Sequence, residues 1–203
     1  MALAIKIMNI FKLKNILKEE KGMTLIELLV VIIMLSLTMG VVAGIFNYAV
    51  KGQARALTSQ QLMDQSSYAI EYMGRALRMA KKDENAACTD LNNYNYYKTR
   101  EDNGIVFMNY NGECQEFYLA ITTDGGQIKE KKGENTNDLT SGEIDVVSFN
   151  IGPSDSWGQD DDLQPRVTIF LNVRGKREML KTGEQPVLKI QTTISQRNID
   201  TFN

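Results

Sequence analysis

The longest apolar stretch of the chain lies near its start and covers residues 28–50. It contains no charged residue, and its only clearly polar side chains are Ser36, Thr38 and Asn47. About 20 apolar residues in a helix are enough to cross the ~30 Å hydrocarbon core of a bilayer. The pattern therefore predicts that residues 23–50 form the membrane-spanning half of a helix.

After residue 50 the apolar positions become periodic. One stripe recurs every seven residues and contains Ala56, Met63, Ile70 and Leu77, with Met73 and Ala80 beside it. The opposite side carries Gln60, Asp64, Glu71, Arg75 and Arg78. No helix breaker separates this segment from the apolar run. The pattern predicts one helix over residues 23–82, whose amphipathic half, residues 51–82, packs on a globular head through the stripe.

Beyond the helix the pattern changes to short runs, several of which alternate apolar and polar residues, as β-strands do. Residues 83–100 are polar and rich in Asn and Tyr, which predicts a loop. Turn signals lie at residues 111–112, 124–126 and 174–176. The predicted strands are residues 105–109, 116–122, 144–150, 166–173 and 187–195. A helix followed by consecutive strands predicts an α+β fold, with residues 83–203 forming a β-rich head around an antiparallel sheet.

The charges that flank the apolar run are asymmetric. Lysines precede the run, with Glu19 and Glu20 among them, and Lys51 and Arg55 follow it. The preceding lysines are Lys6, Lys12, Lys14, Lys18 and Lys21. The positive-inside rule places the N-terminus in the cytoplasm and the head outside. We expect a single-pass protein of the cytoplasmic membrane with an extracytoplasmic head.

The composition argues against catalysis. The chain has no histidine, so it cannot build a Ser-His-Asp or Cys-His pair, and it lacks the commonest zinc ligand. Glu113 and Glu116 beside Cys114 resemble an acid–base pair, but their odd spacing on a strand places them on opposite faces. We expect no enzymatic activity, no cofactor and no metal site.

Two cysteines, Cys88 and Cys114, follow the membrane segment. If the head is extracytoplasmic, its compartment permits a disulfide between them. The alternative is a pair of buried free thiols.

A charged cluster that ends in Gly22 immediately precedes the apolar helix, and Glu27 lies within the apolar sequence. An ordinary secretory signal has the reverse order, with its cleavage site after the apolar region. A carboxylate at the centre of a membrane helix costs about 2.5–3.5 kcal/mol on insertion scales, and less near the interface. Glu27 is therefore expected either to have a function or to reach the cytoplasmic headgroups.

Residues 21–32, which read KGMTLIELLVVI, resemble the N-terminal signature of type IV prepilins and type II secretion pseudopilins. The resemblance implies that residues 1–22 are a leader peptide, that a prepilin peptidase cuts between Gly22 and Met23, and that Met23 is then N-methylated. Many family members have Phe at this position, so Met23 is an apolar departure. The resemblance also implies that Glu27 neutralises the new ammonium of a neighbouring subunit and sets its register in a filament.

The same resemblance implies the partners. They are the prepilin peptidase, other minor and major pilins or pseudopilins, an inner-membrane assembly platform, and membrane lipid before assembly. Residues 188–198 and 75–78 are similar to J-type minor pseudopilins, which would place the protein at the tip of a type II secretion pseudopilus. The alternatives are a minor pilin of a type IV or competence pilus and a single-pass membrane-anchored binding protein.

Three features of the head allow more than one interpretation. Residues 154–162, reading SDSWGQDDD, could offer oxygen ligands to calcium or form a solvated acidic turn. Trp157, the single tryptophan, could anchor a partner or close the core. The basic clusters at residues 129–132 and 174–177 could contact DNA phosphates or keep hairpin turns soluble. We expect no nucleic-acid partner.

Overall fold

The computed structural model describes residues 22–89, 94–100, 103–158, 164–176, 180 and 183–197. The chain divides into two compact units, Met1–Ala49 and Val50–Asn203. The helix α1, Leu25–Arg78, contributes its first part to one unit and its second part to the other. Its bounds lie two residues inside the predicted start and four residues inside the predicted end. One helix, as predicted, covers both the apolar run and the amphipathic segment.

The second unit contains two antiparallel sheets, and each is a simple meander. The five-stranded sheet has β1 (Tyr97–Thr99), β2 (Gly104–Met108), β3 (Cys114–Thr122), β4 (Gly125–Lys132) and β5 (Asn135–Asp138) in that order. The three-stranded sheet has β6 (Ile144–Gly152), β7 (Arg166–Gly175) and β8 (Val187–Ser195). The predicted α+β fold, a long N-terminal helix packed on antiparallel sheets, is confirmed.

The two sheets meet where β4 approaches β6. The Gly126 N–H donates to Asp145 Oδ1 at 2.9 Å, and a β-carbon added at Gly126 would overlap the carbonyl oxygen of Val146. Glycine at this position is therefore what allows the backbones of the two strands to come this close. Burial disfavours charge on Asp145, but the Gly126 N–H and the Arg174 guanidinium outweigh it and lower the pKa of this carboxyl.

The core of this unit is shared by the helix and both sheets. Its largest side chains are almost completely buried. They include Leu62, Met73 and Leu77 from α1, Phe107, Phe117 and Ile128 from the first sheet, and Phe149, Ile169 and Leu171 from the second. Trp157 also lies in the core, 2% exposed, and its Nε1–H donates to the Arg166 carbonyl at 2.7 Å. Of the two interpretations of this tryptophan, the core interpretation is confirmed.

The predicted helix stripe is wrong over its first half. Leu77, Met73 and Ala80 are fully buried as expected, but Ala56 and Met63 are exposed. The buried face instead begins with Ala54, Thr58, Leu62 and Ser66, spaced four residues apart. Thr58 is tolerated on this face because its Oγ1–H donates to the Ala54 carbonyl at 2.8 Å. Because Thr58 and Ser66 are polar, the spacing of apolar residues alone does not identify this face.

Three strands were missed. The predicted loop at residues 83–100 contains β1, and no strand was predicted at β4 or β5. The basic cluster at residues 129–132 lies within β4 and not on a hairpin turn. Similarly, the predicted turn residues Arg174 and Gly175 are the last residues of β7. Residue 177 of the second basic cluster lies outside the described residues.

Candidate functional site

The first described residues precede the helix. Gly22, Met23 and Thr24 are non-helical and exposed, and Met23 keeps 63% of its surface accessible. Exposed, irregular backbone next to a regular element is the kind of segment that peptidases reach. The predicted cleavage bond between Gly22 and Met23 lies here. The rest of the predicted leader, residues 1–21, lies outside the described residues.

Thr24 caps the N-terminus of α1. The Glu27 N–H lies 3.1 Å from the Thr24 carbonyl and 3.3 Å from Thr24 Oγ1, and the Leu28 N–H lies 3.2 Å from the same carbonyl. A threonine in this position satisfies N–H groups that the first helical turn leaves without partners. Thr24 was not among the predicted functional residues, although the Thr-x-x-Glu spacing of a capping box was the signal that could have identified it.

Glu27 is the third residue of α1 and the acidic residue of its first turn. The N-terminal end of a helix carries partial positive charge, which stabilises a carboxylate in the first turn. Glu27 is exposed, so its oxygens are accessible to a group outside the chain. The helix start therefore combines an accessible peptide bond, a threonine cap and an exposed carboxylate within six residues of sequence.

The part of α1 in the first unit exposes apolar side chains on all sides. Large apolar residues from Leu25 to Tyr48 are between about half and four-fifths exposed. This helix is the one among the described residues that is long and apolar enough to cross a membrane, by length and composition. The hydroxyls of Ser36 and Thr38 donate to the Ile32 and Leu35 carbonyls at 2.8 and 2.9 Å. These internal bonds remove the cost of placing hydroxyl groups in lipid.

The deciding observation is a family match at this segment. Residues 17–43 match the family model of the prokaryotic N-terminal methylation motif. The match spans the charged residues before Gly22, the capped helix start and much of the apolar helix. No curated protein and no solved structure matches the chain. The assignment therefore depends on the N-terminal segment and not on the head.

The motif supports a prepilin-like protein: a membrane-anchored, structural subunit that a prepilin peptidase processes and that assembles with other pilins. The observed helix agrees with membrane anchoring, because its apolar surface is exposed from Leu25 to the end of the motif at residue 43.

A second cluster holds the head residues that follow α1. Asp83 is fully buried and accepts the backbone N–H groups of Ala87, Cys88 and Thr89 at 2.9, 2.7 and 2.8 Å. The Thr89 hydroxyl donates to the same carboxylate at 3.1 Å. Burial raises the pKa of Asp83, but these donors outweigh it and hold the pKa below its ordinary value of 3.8.

Asp83 fixes the turn that carries Cys88. In the structure Cys88 is joined to Cys114, at the start of β3, with 5.2 Å between their Cα atoms. The pairing connects the turn after α1 to the five-stranded sheet. We propose that Cys88 and Cys114 are oxidised to this disulfide in the exported protein.

The buried polar group under the first basic cluster was not anticipated. Glu130 of β4 is 5% exposed and accepts hydrogen bonds from the Tyr72 hydroxyl at 2.8 Å and Gln115 Nε2 at 2.6 Å. Lys132 Nζ lies 3.1 Å from Glu130 and 2.9 Å from the Tyr72 hydroxyl. Burial alone would lower the pKa of Lys132, but the hydrogen bonds to Tyr72 and Glu130 outweigh burial and raise this pKa above its ordinary value. The cluster attaches the helix to β4, which is a structural role.

The remaining candidate chemistry is not assembled in the described part of the chain. Glu113 lies before β3 and Glu116 pairs with Arg100, with 2.9 Å between Arg100 Nε and Glu116 Oε1. Among the described residues, no group of three His, Cys, Asp or Glu side chains could hold a metal ion. Residues 159–162 of the acidic loop lie outside the described residues.

Proposed function

We propose that the protein is a minor pseudopilin, cut by a prepilin peptidase between Gly22 and Met23 and assembled into a type II secretion pseudopilus. The observation that carries the proposal is the methylation motif at residues 17–43, which contains the accessible Gly22–Met23 bond and the start of α1 at Leu25. The peptidase would act at the cytoplasmic side of the membrane, and the head would lie outside it.

Cleavage creates a new charge at the start of the helix. The ammonium of Met23 would sit beside the positive end of α1, where a cation is disfavoured. N-methylation keeps that charge. In a filament core the ammonium needs a carboxylate, and Glu27 of a neighbouring subunit is accessible and close to the same membrane level. At low dielectric each charge is costly alone and strongly attracted to the other, so the pair fixes the register of the incoming subunit.

The assignment to the J-type subgroup is supported by two short segments that lie next to each other in the fold. The end of α1, with Arg75 and Arg78, and the end of β8 are linked by the Arg197 N–H, which donates to the Arg78 carbonyl at 2.9 Å. We infer a tip subunit that contacts other minor pseudopilins. The main alternative is a minor pilin of a type IV or competence pilus.

The first experiment tests the processing. The protein is isolated from membranes of cells with and without the prepilin peptidase, and its intact mass and N-terminal sequence are determined. We expect an N-methyl-Met23 terminus that depends on the peptidase. A retained leader, or a cut after the apolar run, would contradict the proposal and favour a membrane-anchored binding protein.

The second experiment tests Glu27. We expect Glu27→Val to insert into the membrane and to be cleaved, but to be absent from filaments, because the neighbour's ammonium has lost its partner. Glu27→Asp, which keeps the charge, is the matched control and should be incorporated in part. Normal incorporation of Glu27→Val would refute the register role while leaving the processing result intact.

The third experiment separates the filament systems. Deletion of the gene should abolish release of secreted proteins and leave surface motility and DNA uptake unchanged. Loss of motility or DNA uptake with normal secretion would favour the pilus alternative.

A further inference from the structure

In the described part of the chain, the strand β8 of the head has a strand partner on one side only. Strand β8 pairs with β7 and is the end member of the three-stranded sheet. It is nine residues long and contains one charged residue, Lys189, and no proline. Edge strands of this length present rows of N–H and C=O groups to which another strand can bind, and proteins usually protect them.

The hydrogen bonds at both ends of β8 show which groups face the edge. The Gln196 N–H donates to the Pro165 carbonyl at 2.9 Å, and the Pro186 carbonyl accepts from the Gly175 N–H at 3.0 Å. The even-numbered residues of β8 therefore direct their backbone N–H and C=O groups towards β7. Because antiparallel pairs alternate, the odd-numbered residues of β8 point their N–H and C=O groups away from β7.

Arg197 agrees with this alternation. Its N–H points away from β7 and donates a hydrogen bond to the Arg78 carbonyl at the end of α1. Further along the strand, Lys189, Gln191 and Thr193 have no backbone partner on this side in the described part of the chain. The helix end therefore closes one end of the edge and leaves the rest open.

A groove runs between this open edge and α1. It has a volume of about 730 Å³ and is lined by residues 190–194 of β8 and by Ser67, Ile70, Gly74, Arg75 and Arg78 among others from the helix. Its apolar wall is incompletely covered. Ile190 is only half-buried, whereas its partner Leu171 on β7 is 2% exposed. The groove is thus a place where the core of the head reaches solvent.

The rim of the groove is basic. Arg78 is exposed in the last turn of α1 and has no ion-pair partner among the described residues. Arg75 makes one long contact, 3.7 Å, with Glu71. An incoming carboxylate near Arg78 would complement this charge.

We propose that the β8 edge is a docking site for an extended segment of another filament subunit. The segment adds as a further strand beside β8, places alternate apolar side chains against Ile70 and Ile190, and brings an acidic residue to Arg78. A backbone edge selects an extended polypeptide, because only a strand can match N–H and C=O groups at this spacing. That the partner is a filament subunit rests on the proposed function. The presence of the edge and the groove does not.

The test uses the full chain in cells that assemble the filament. A benzophenone cross-linking amino acid replaces Gln191 at the edge or, as a control, Ile121, which is 81% exposed on the other sheet. After irradiation, cross-linked peptides are sequenced. We expect a product from position 191 that joins β8 to an extended segment of a different subunit, at least about tenfold more than from position 121.

A backbone variant tests the mode of binding, with the cross-linker placed at Lys189. Gln191→Pro removes one edge N–H that β7 does not use, and proline is tolerated at such positions. We expect this variant to reduce the product about tenfold, the effect of losing one edge hydrogen bond and displacing the partner strand. Gln191→Ala keeps the N–H and should lose less than threefold. The Cys88–Cys114 disulfide, assayed in each variant, reports that the head has folded.

Several outcomes would overturn the inference. These are equal products from positions 191 and 121, a product only within the same chain, a product with a protein outside the filament, and equal losses in the proline and alanine variants. Leader cleavage is followed in the same cells. If cleavage fails, the proposed function is refuted; if the filament forms without a β8 product, the docking site alone is refuted.

Discussion

The carboxylate of Asp83 should be among the most important polar groups for the stability of the head. We predict that Asp83→Asn destabilises the full chain, in mild detergent, by about 3 kcal/mol. The amide oxygen can still accept from Cys88 and Thr89, but the amide NH₂ then faces the Ala87 N–H, 2.9 Å from the original oxygen. A buried donor without a partner costs about 1–3 kcal/mol, and the other bonds lose the strength that the negative charge gave them.

The pH dependence provides a sharper check. The pKa of Asp83 is lower in the folded chain than its ordinary value of 3.8. The folded state therefore binds fewer protons, so this stabilisation is fully present above about pH 5, beyond the titration of the unfolded carboxyl, and is lost as the pH falls through the folded pKa. The difference between wild type and Asp83→Asn should shrink over that acidic range and stay constant above about pH 5.

The assay is urea unfolding followed by the fluorescence of Trp157, the single tryptophan, which is buried in the head. Asp155→Asn is the matched control, because Asp155 is exposed and lies close to the same tryptophan in sequence. If the two variants are equally stable, or if the Asp83 difference does not change on acidification, the assigned role of the carboxylate is wrong.

Three further predictions use the same unfolding assay. Leu62→Ala should cost about 2–5 kcal/mol and Met63→Ala less than about 0.5, because Leu62 is 1% and Met63 is 57% exposed; similar values would refute the reassigned helix face. Replacing Cys88 and Cys114 by Ser should cost about 3.5 kcal/mol, given their separation of 26 residues, and no loss would contradict the disulfide. Gly126→Ala should cost at least about 2 kcal/mol through overlap with a backbone carbonyl, and wild-type stability would show that the strands can separate freely.

The helix, the fold class and the five main strands were predictable because their signals are local. A run without charges predicts the membrane segment whatever surrounds it, and β7 alternates clearly, with Val167, Ile169 and Leu171 buried. The helix face was harder to predict. Thr58 and Ser66 lie on the buried side, and only the packed structure shows that small hydroxyl residues are accepted there.

The missed strand β4 has a different cause. Its sequence contains Lys129, Glu130 and Lys132, which on their own predict exposed structure. Glu130 is nevertheless buried, because Tyr72 of the distant helix α1 and Gln115 of the neighbouring strand β3 donate hydrogen bonds to it. A buried charge with distant partners leaves no periodic signal. At the candidate processing site the motif was predictable from the sequence. The capping role of Thr24 was recognised only from the hydrogen bonds at the helix start.

The contact between the end of α1 and the end of β8 sets an order for biosynthesis. Ile194 packs at 3.8 Å from the position of a β-carbon on Gly74, and Gln196 Nε2 donates to the Ala80 carbonyl at 2.7 Å. Gly74 is synthesised well before Ile194, so the helix face around it exists before the strand that covers it. The head therefore cannot complete its core until β8 has emerged, and a chain that stalls before β8 would present an uncovered helix to quality-control proteases.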